Sequence, residues 1–230
     1  MNGGAAKAGV VLAALALIGL LLAAPAAQAG CGGVETAAPK RKVASRPPLA
    51  IGDSSMLLAL PALARVGYRA NARGCRQFAE GLGVLRDARR HHRLPRLAVL
   101  ALGADASVSA GQIAQARKIM GPKRKLGLVT PRETGGGESK DAEVIRNAGR
   151  RDPVHIKVLD WVHYSAGHSS WFQPDGLHLT FSGAKALARL LKKLIPLAAS
   201  NPRSRRPREI GRSGRAAGRR RGTARRHRRR

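Results

Sequence analysis

Residues 49–63 read LAIGDSSMLLALPAL. An apolar run suited to a buried strand enters a Gly-Asp-Ser turn, and an Ala/Leu-rich helical pattern follows despite Pro61. Such a turn serves two purposes equally well. Ser54 can cap the helix, its hydroxyl accepting from the first unpaired backbone N–H groups. Alternatively, it can be a nucleophile lifted out of a strand-to-helix turn. The rest of the chain has to separate the two.

Outward from this stretch the pattern repeats. GYRANA (67–72) reads as a second short strand, and FAEGLGVLRDARRHH (78–92) carries apolar residues at helical spacing. RLAVLALG (96–103) is the clearest strand, continuous aliphatics after a proline and closed by glycine. SAGQIAQARKIMG follows as a helix, with Ser109 suited to its N-cap and Gly121 to its end. KLGLVTP (125–131) is a fourth strand, 138–150 a helix, HIKVLDW (155–161) a fifth strand, and TFSGAKALARLLKKLI (180–195) an amphipathic closing helix. Continuous apolar strands alternating with helices predict a parallel sheet covered on both faces. The expectation is an α/β three-layer sandwich of about five strands over residues 48–200, one domain's worth of chain.

Both ends differ from this domain. Lys7, an apolar run over 9–24 and an Ala-x-Ala site before Gly30 describe a secretory signal peptide over 1–29. The run is shorter than the roughly 20 residues of a membrane span, so an uncleaved anchor is the lesser alternative. QAGC around Cys31 also has the outline of a lipidation site, with Gln28 where an aliphatic residue belongs. Residues 30–47 read as a Pro/Lys-rich linker. Residues 201–230 form a tail in which 203–230 hold fourteen arginines against one glutamate, +13 of the formal charge of +30. Such a segment buries too little apolar surface to fold, and its charges repel one another. It reads as a disordered binder of anionic envelope polymer or lipid, without the interleaved aromatics of a specific nucleic-acid site. Cys31 and Cys75 have no zinc-site spacing. Export permits a disulfide between them, and free or lipidated thiols are equally open.

In a parallel α/β domain, active residues gather at the carboxyl ends of the strands. GDS (52–54) follows the first strand, LGAD (102–105) the third and DGLH (175–178) the fifth. Asp175 and His178 are close enough on a turn for their side chains to meet. The carboxylate then orients the imidazole, which takes a proton from a serine hydroxyl. Singly, Ser54 is a cap, Asp175-Gly176 a turn and His178 a structural histidine; at matching strand ends the three make a catalytic set. Trp161, Trp171 and Phe172 flank DGLH and read as loop packing more than as a pocket lining. His163 and His168 lie in the same loop, His91-His92 is a solvated helix end, and Arg76-Gln77 receives no role from its chemistry.

IGDSSMLLALPAL, RQFAEGLGVLR, RLPRLAVLALGAD, GLVTPRE, VLDW and WFQPDGLHLTFSGAKALARLL resemble, in order and spacing, the SGNH (GDSL-type) hydrolase family. The resemblance is to the SGNH domains found beside or fused to membrane acyltransferases that O-acetylate bacterial envelope glycans, and it covers about residues 48–195. It implies a flavodoxin-like sheet and serine-dependent ester hydrolysis or acyl transfer without metal or cofactor. Ser54 would be the nucleophile, His178 the general base, Asp175 its orienting partner, and the Ser54 backbone N–H one oxyanion donor. Two family blocks depart from their pattern. Cys75, after Gly74, stands where the family carries a glycine before Arg-Gln; either N–H can still serve as a donor if the turn keeps its shape. The family's Gly-x-Asn is here Gly103-Ala104-Asp105. An asparagine amide donates to a developing oxyanion, whereas an ionised aspartate repels it, and losing one such donor costs about 10²–10³ in kcat. Burial of Asp105 would be needed to keep a proton on it.

The resulting expectation is an exported, monomeric serine esterase or acyl-transfer enzyme acting on small acyl esters of cell-envelope carbohydrate. The alternative is a catalytically impaired SGNH domain that binds envelope glycan or polyanion.

Overall fold

The computed structural model describes residues 31–199; the signal-peptide and Arg-rich-tail readings lie outside the described residues. Six strands form one sheet: β1 (Glu35–Ala37), β2 (Leu49–Gly52), β3 (Arg69–Ala72), β4 (Leu97–Ala101), β5 (Lys125–Val129) and β6 (Ile156–Leu159). Their spatial order is β1-β3-β2-β4-β5-β6. From β3 to β6 every pairing is parallel, so these five strands follow the flavodoxin-like order. The sixth strand was not foreseen. Within the stretch read as linker, β1 pairs antiparallel with β3, Glu35 opposite Ala72. Three residues of ordinary composition carry no period from which to read a strand; the edge of β3 supplies the template.

Period-two alternation divides the strands between two cores. Ala50, Leu97, Val99 and Ala101 face one side with α1 (Leu60–Val66) and α6 (Phe181–Lys192). Leu49, Ile51, Ala98, Leu100, Leu126 and Leu128 face the other, against α2 (Phe78–Arg90), α3 (Ala110–Met120) and α4 (Lys140–Arg151). Both faces of β2 and β4 are therefore dry, which is why those strands read as unbroken aliphatic runs. The helix limits follow local chemistry. Ser109 and Gln112 form a reciprocal capping box at the start of α3, and Gly121 ends it. Two short helices, α5 (Trp161–Tyr164) and α7 (Ile195–Ala199), complete the domain. Among the described residues no helix is long and apolar enough to cross a membrane.

Cys31 and Cys75 form a disulfide across 44 residues of sequence. This settles the thiol question that sequence left open. It also ties the segment before β1 to the turn after β3, so residues 31–37 are part of the domain's structure.

Candidate active site

The helix expected from Ser54 begins as a 3-10 helix over Ser54–Ala59, and Asp53 caps it. The Asp53 carboxylate accepts from Ser55 N at 3.1 Å and from Ser55 Oγ at 2.6 Å. Because its neighbour does the capping, the hydroxyl of Ser54 is left free to point elsewhere. It lies 3.0 Å from His178 Nε2. His178 Nδ1 lies 2.6 Å from Asp175 Oδ2, and the other Asp175 oxygen accepts from the backbone N–H groups of Leu177 and His178, both at 2.9 Å. Partial burial works against the Asp175 charge, but the His178 ring and the two N–H groups outweigh it and hold the carboxyl below the usual carboxylate range. A carboxylate held charged in this way keeps Nδ1 protonated and presents Nε2 as an acceptor to the hydroxyl.

The strand-end turns are braced to one another. Asp53 is buried, and its Oδ2 accepts from Gly103 N at 3.1 Å and Ala104 N at 3.0 Å. One carboxylate thus joins the turn after β2 to the turn after β4. Burial pushes its pKa up, against the hydrogen bonds it receives. On the other side Arg76, also buried, donates from one nitrogen to the carbonyls of Gly52 and Asn71, each at 2.9 Å. Arg132 donates to Gly176 O and Ser165 Oγ, both at 3.2 Å, and to Gly136 O, and its guanidinium lies 4.2 Å over the Phe172 ring. Gly135 N donates to Asp175 O at 2.7 Å. The turn holding Asp175 is therefore gripped from the loop after β5. Sequence reasoning passed over Asp53 and Arg132 and left Arg76 without a role. A charged residue inside otherwise apolar strand ends was the signal available for Asp53; for Arg132 there was none, since its partners are backbone carbonyls distant in sequence.

The two departures from the family pattern have structural counterparts. Cys75 adopts φ +52°, the left-handed region that glycine enters freely and other residues enter at a cost of about 1–2 kcal/mol. The disulfide to Cys31 constrains the residue that takes that conformation. Gly74 is explained by packing, because a Cβ there would come within 2.7 Å of the Cys31 carbonyl oxygen. Among the described residues, no hydrogen bond engages the backbone N–H of Ser54 or of Cys75. Asp105 is exposed. Its Oδ2 accepts from Ser54 Oγ at 3.3 Å and so competes with His178 for the one hydroxyl proton.

The remaining candidates lie outside this constellation. Trp161 is buried and stacks on Trp171 at 5.8 Å, and His168 stacks on Trp171 at 3.8 Å, contacts that pack the loop against the core. His163 N–H donates to Asp160, and His91 closes α2 as an exposed end residue. Among the described residues no group of three His, Cys, Asp or Glu side chains is placed to hold a metal ion.

No protein-family model matches the chain. The O-acetyltransferase OatA of Staphylococcus aureus is 28% identical over 171 residues, 73% of this chain and 28% of that protein. The peptidoglycan O-acetyltransferase OatA of Listeria monocytogenes is 29% identical over 149 residues, 64% of this chain and 24% of that protein. The chain thus spans about a quarter of the length of these relatives. Among solved structures, the C-terminal catalytic domain of Streptococcus pneumoniae OatA superposes with a TM-score of 0.58 at 22% identity, covering 71% of this chain and 96% of that one. A protein described as an SGNH hydrolase from Slackia heliotrinireducens gives 0.50 at 17% identity, covering 64% and 96%. At these identities the structures show that this chain shares the fold of the SGNH-type domains, and in sequence it is similar to part of the OatA O-acetyltransferases.

Proposed function

We propose that the chain is a serine-dependent esterase or acyl-transfer enzyme acting on small acyl esters of cell-envelope carbohydrate. The observation that carries the reading is the line of contacts from Asp175 through His178 to Ser54, at 2.6 and 3.0 Å. Ser54 Oγ attacks the acyl carbonyl as its proton passes to His178 Nε2, and Asp175 steadies the imidazolium. The tetrahedral oxyanion faces the N–H groups of Ser54 and Cys75. Collapse leaves the acyl group on Ser54 and releases the sugar hydroxyl, which takes the proton from His178. Water or a glycan hydroxyl then gives its proton to His178, attacks the acyl-serine and frees Ser54.

The relatives named for peptidoglycan O-acetylation support a carbohydrate ester as substrate. So does the openness of the site: the His178 side chain is 38% exposed and that of Asp175 35%, as access by a polymer requires. The disulfide favours an oxidising compartment and hence export to the envelope, as a secreted or envelope-held protein. Residues 203–230 would add adhesion to anionic polymer or lipid.

A second reading rests on one contact. Asp105 places a carboxylate against the Ser54 hydroxyl where the family pattern has an amide, and in that reading the domain binds an acylated glycan and turns it over slowly or not at all. Hydrolysis of an activated acetyl ester by the full chain, compared with Ser54→Ala, separates the two. A rate that disappears in the variant supports the esterase, and equal rates overturn it.

A further inference from the structure

Because β2 to β6 run parallel, the end of the domain opposite Ser54 collects whatever precedes each of these five strands. Arg46 precedes β2, Arg96 immediately precedes β4, Arg124 precedes β5, and Arg69 opens β3. The antiparallel helices α2 and α3 return Arg89 and Lys118 to the same end. Two of these cations are held in place. Arg89 donates to the carbonyls of Lys118 and Ile119 at 2.9 and 2.8 Å, and Arg124 to that of Met120 at 3.2 Å, so both close the carbonyl end of α3. Two carboxylates at this end are already taken. Asp87 engages Arg90 and Arg93, and Asp152 engages Arg117. Arg96 Nε is buried and makes no hydrogen bond. Burial, with the charges of Arg46, Arg89 and Arg96, holds Arg124 below the usual arginine range, and burial with Arg93 does the same to Arg69. Between α2 and α3 an open groove of about 630 Å³ is edged by Arg86, Arg89, Arg90 and Lys118.

We infer that this basic pole is a binding surface for a linear polyol-phosphate polymer. Cations spread across the starts of several strands and two helix ends match charges repeated along a chain, whereas a lone phosphate would meet only one or two of them. The groove offers no Phe, Tyr or Trp ring for a base to stack on, His92 being its one ring, which favours a phosphate polymer without bases. Binding there leaves the Ser54 end of the domain facing away from the polymer. This inference is independent of whether Ser54 is catalytic.

The test uses the full chain with every arginine of residues 203–230 replaced by Gln, so that the tail cannot mask the pole. Into it are introduced Arg46→Gln, Arg86→Gln and Lys118→Gln, three exposed positions. Binding to immobilised poly(glycerol phosphate) is followed against salt, beside an oligonucleotide with the same number of phosphates. The triple variant is expected to lose at least about tenfold in affinity at low salt, with the log–log salt slope reduced by about two, at roughly 0.7 per phosphate contact. Its melting temperature should match its parent; if it falls, Arg46→Gln alone carries the test with a smaller loss. Equal binding by parent and variant overturns the proposal. Tighter binding of the oligonucleotide overturns it in favour of nucleic acid.

Discussion

The candidate site has two halves that stand differently against the SGNH pattern the sequence resembles. The Ser54–His178–Asp175 line keeps every residue of the family pattern and the contacts that the pattern requires. The oxyanion half keeps only its backbone. Cys75 stands where the resembled family carries a glycine and holds its φ of +52° beside a disulfide, and Asp105 stands as an acceptor where that pattern has an amide donor. The contrast separates what backbone can carry from what only a side chain can supply. An N–H survives a change of residue provided the turn survives, so Cys75 is tolerable once Cys31 constrains it. A side-chain donor does not survive a change to carboxylate. If the proposed reaction runs, it runs with two N–H donors and against one charge.

The largest expected effect lies in the intact half. Ser54→Ala should lower ester hydrolysis by about 10⁴-fold or more in steady-state kinetics; a smaller loss would mean that the measured turnover does not pass through Ser54. Asp175→Asn should cost roughly 10³-fold, mostly in kcat, because the imidazole loses the partner that sets its tautomer. Asp105→Asn sharpens the comparison from the other side. It removes a repelling charge and restores a donor, and should raise kcat by about 10- to 10²-fold. An unchanged or lower rate would show that Asp105 does not face the oxyanion.

Smaller effects on rate test the scaffold. Cys31→Ser opens a 44-residue loop, and a chain-entropy estimate puts the loss near 4 kcal/mol in denaturant unfolding. The rate per folded molecule should fall only a few-fold, as Cys75 relaxes from its left-handed conformation. The smallest effect is in pH. The Asp175 carboxyl is held low in the folded protein, so its charge stabilises the fold above the unfolded value, about 3.9. That contribution fades as pH falls through the folded value. The gap in melting temperature between wild type and Asp175→Asn should therefore close only in acid stronger than that unfolded value. A gap that closes near neutrality would show that Asp175 is not held low.

Much of the domain could be read from the residues. Continuous aliphatics mark a strand buried on both faces, and β2, β4 and β5 are read this way because each faces two apolar layers. Ser109 and Gly121 bound α3 by local hydrogen bonding and backbone freedom, which do not depend on the rest of the fold. β1 was invisible because three residues acquire strand geometry only from an available edge. The bracing roles of Asp53, Arg76 and Arg132 were hidden for a related reason. Their partners are backbone groups, which every residue type carries, so no spacing of side chains announces them.

Sequence alone therefore determined the alternation of strands and helices, the parallel sheet they imply and the identity of Ser54, Asp175 and His178 as the residues to watch. Periodicity, capping and turn chemistry are local and leave their mark in the order of residues. Tertiary structure decided what depends on proximity without periodicity. It gave the helix cap to Asp53 and left the Ser54 hydroxyl free, it joined Cys31 to Cys75, and it set Asp105 against the same hydroxyl. It also gathered arginines scattered from 46 to 124 onto one pole. Their common position comes from the five parallel strands, which send their starts to the same end.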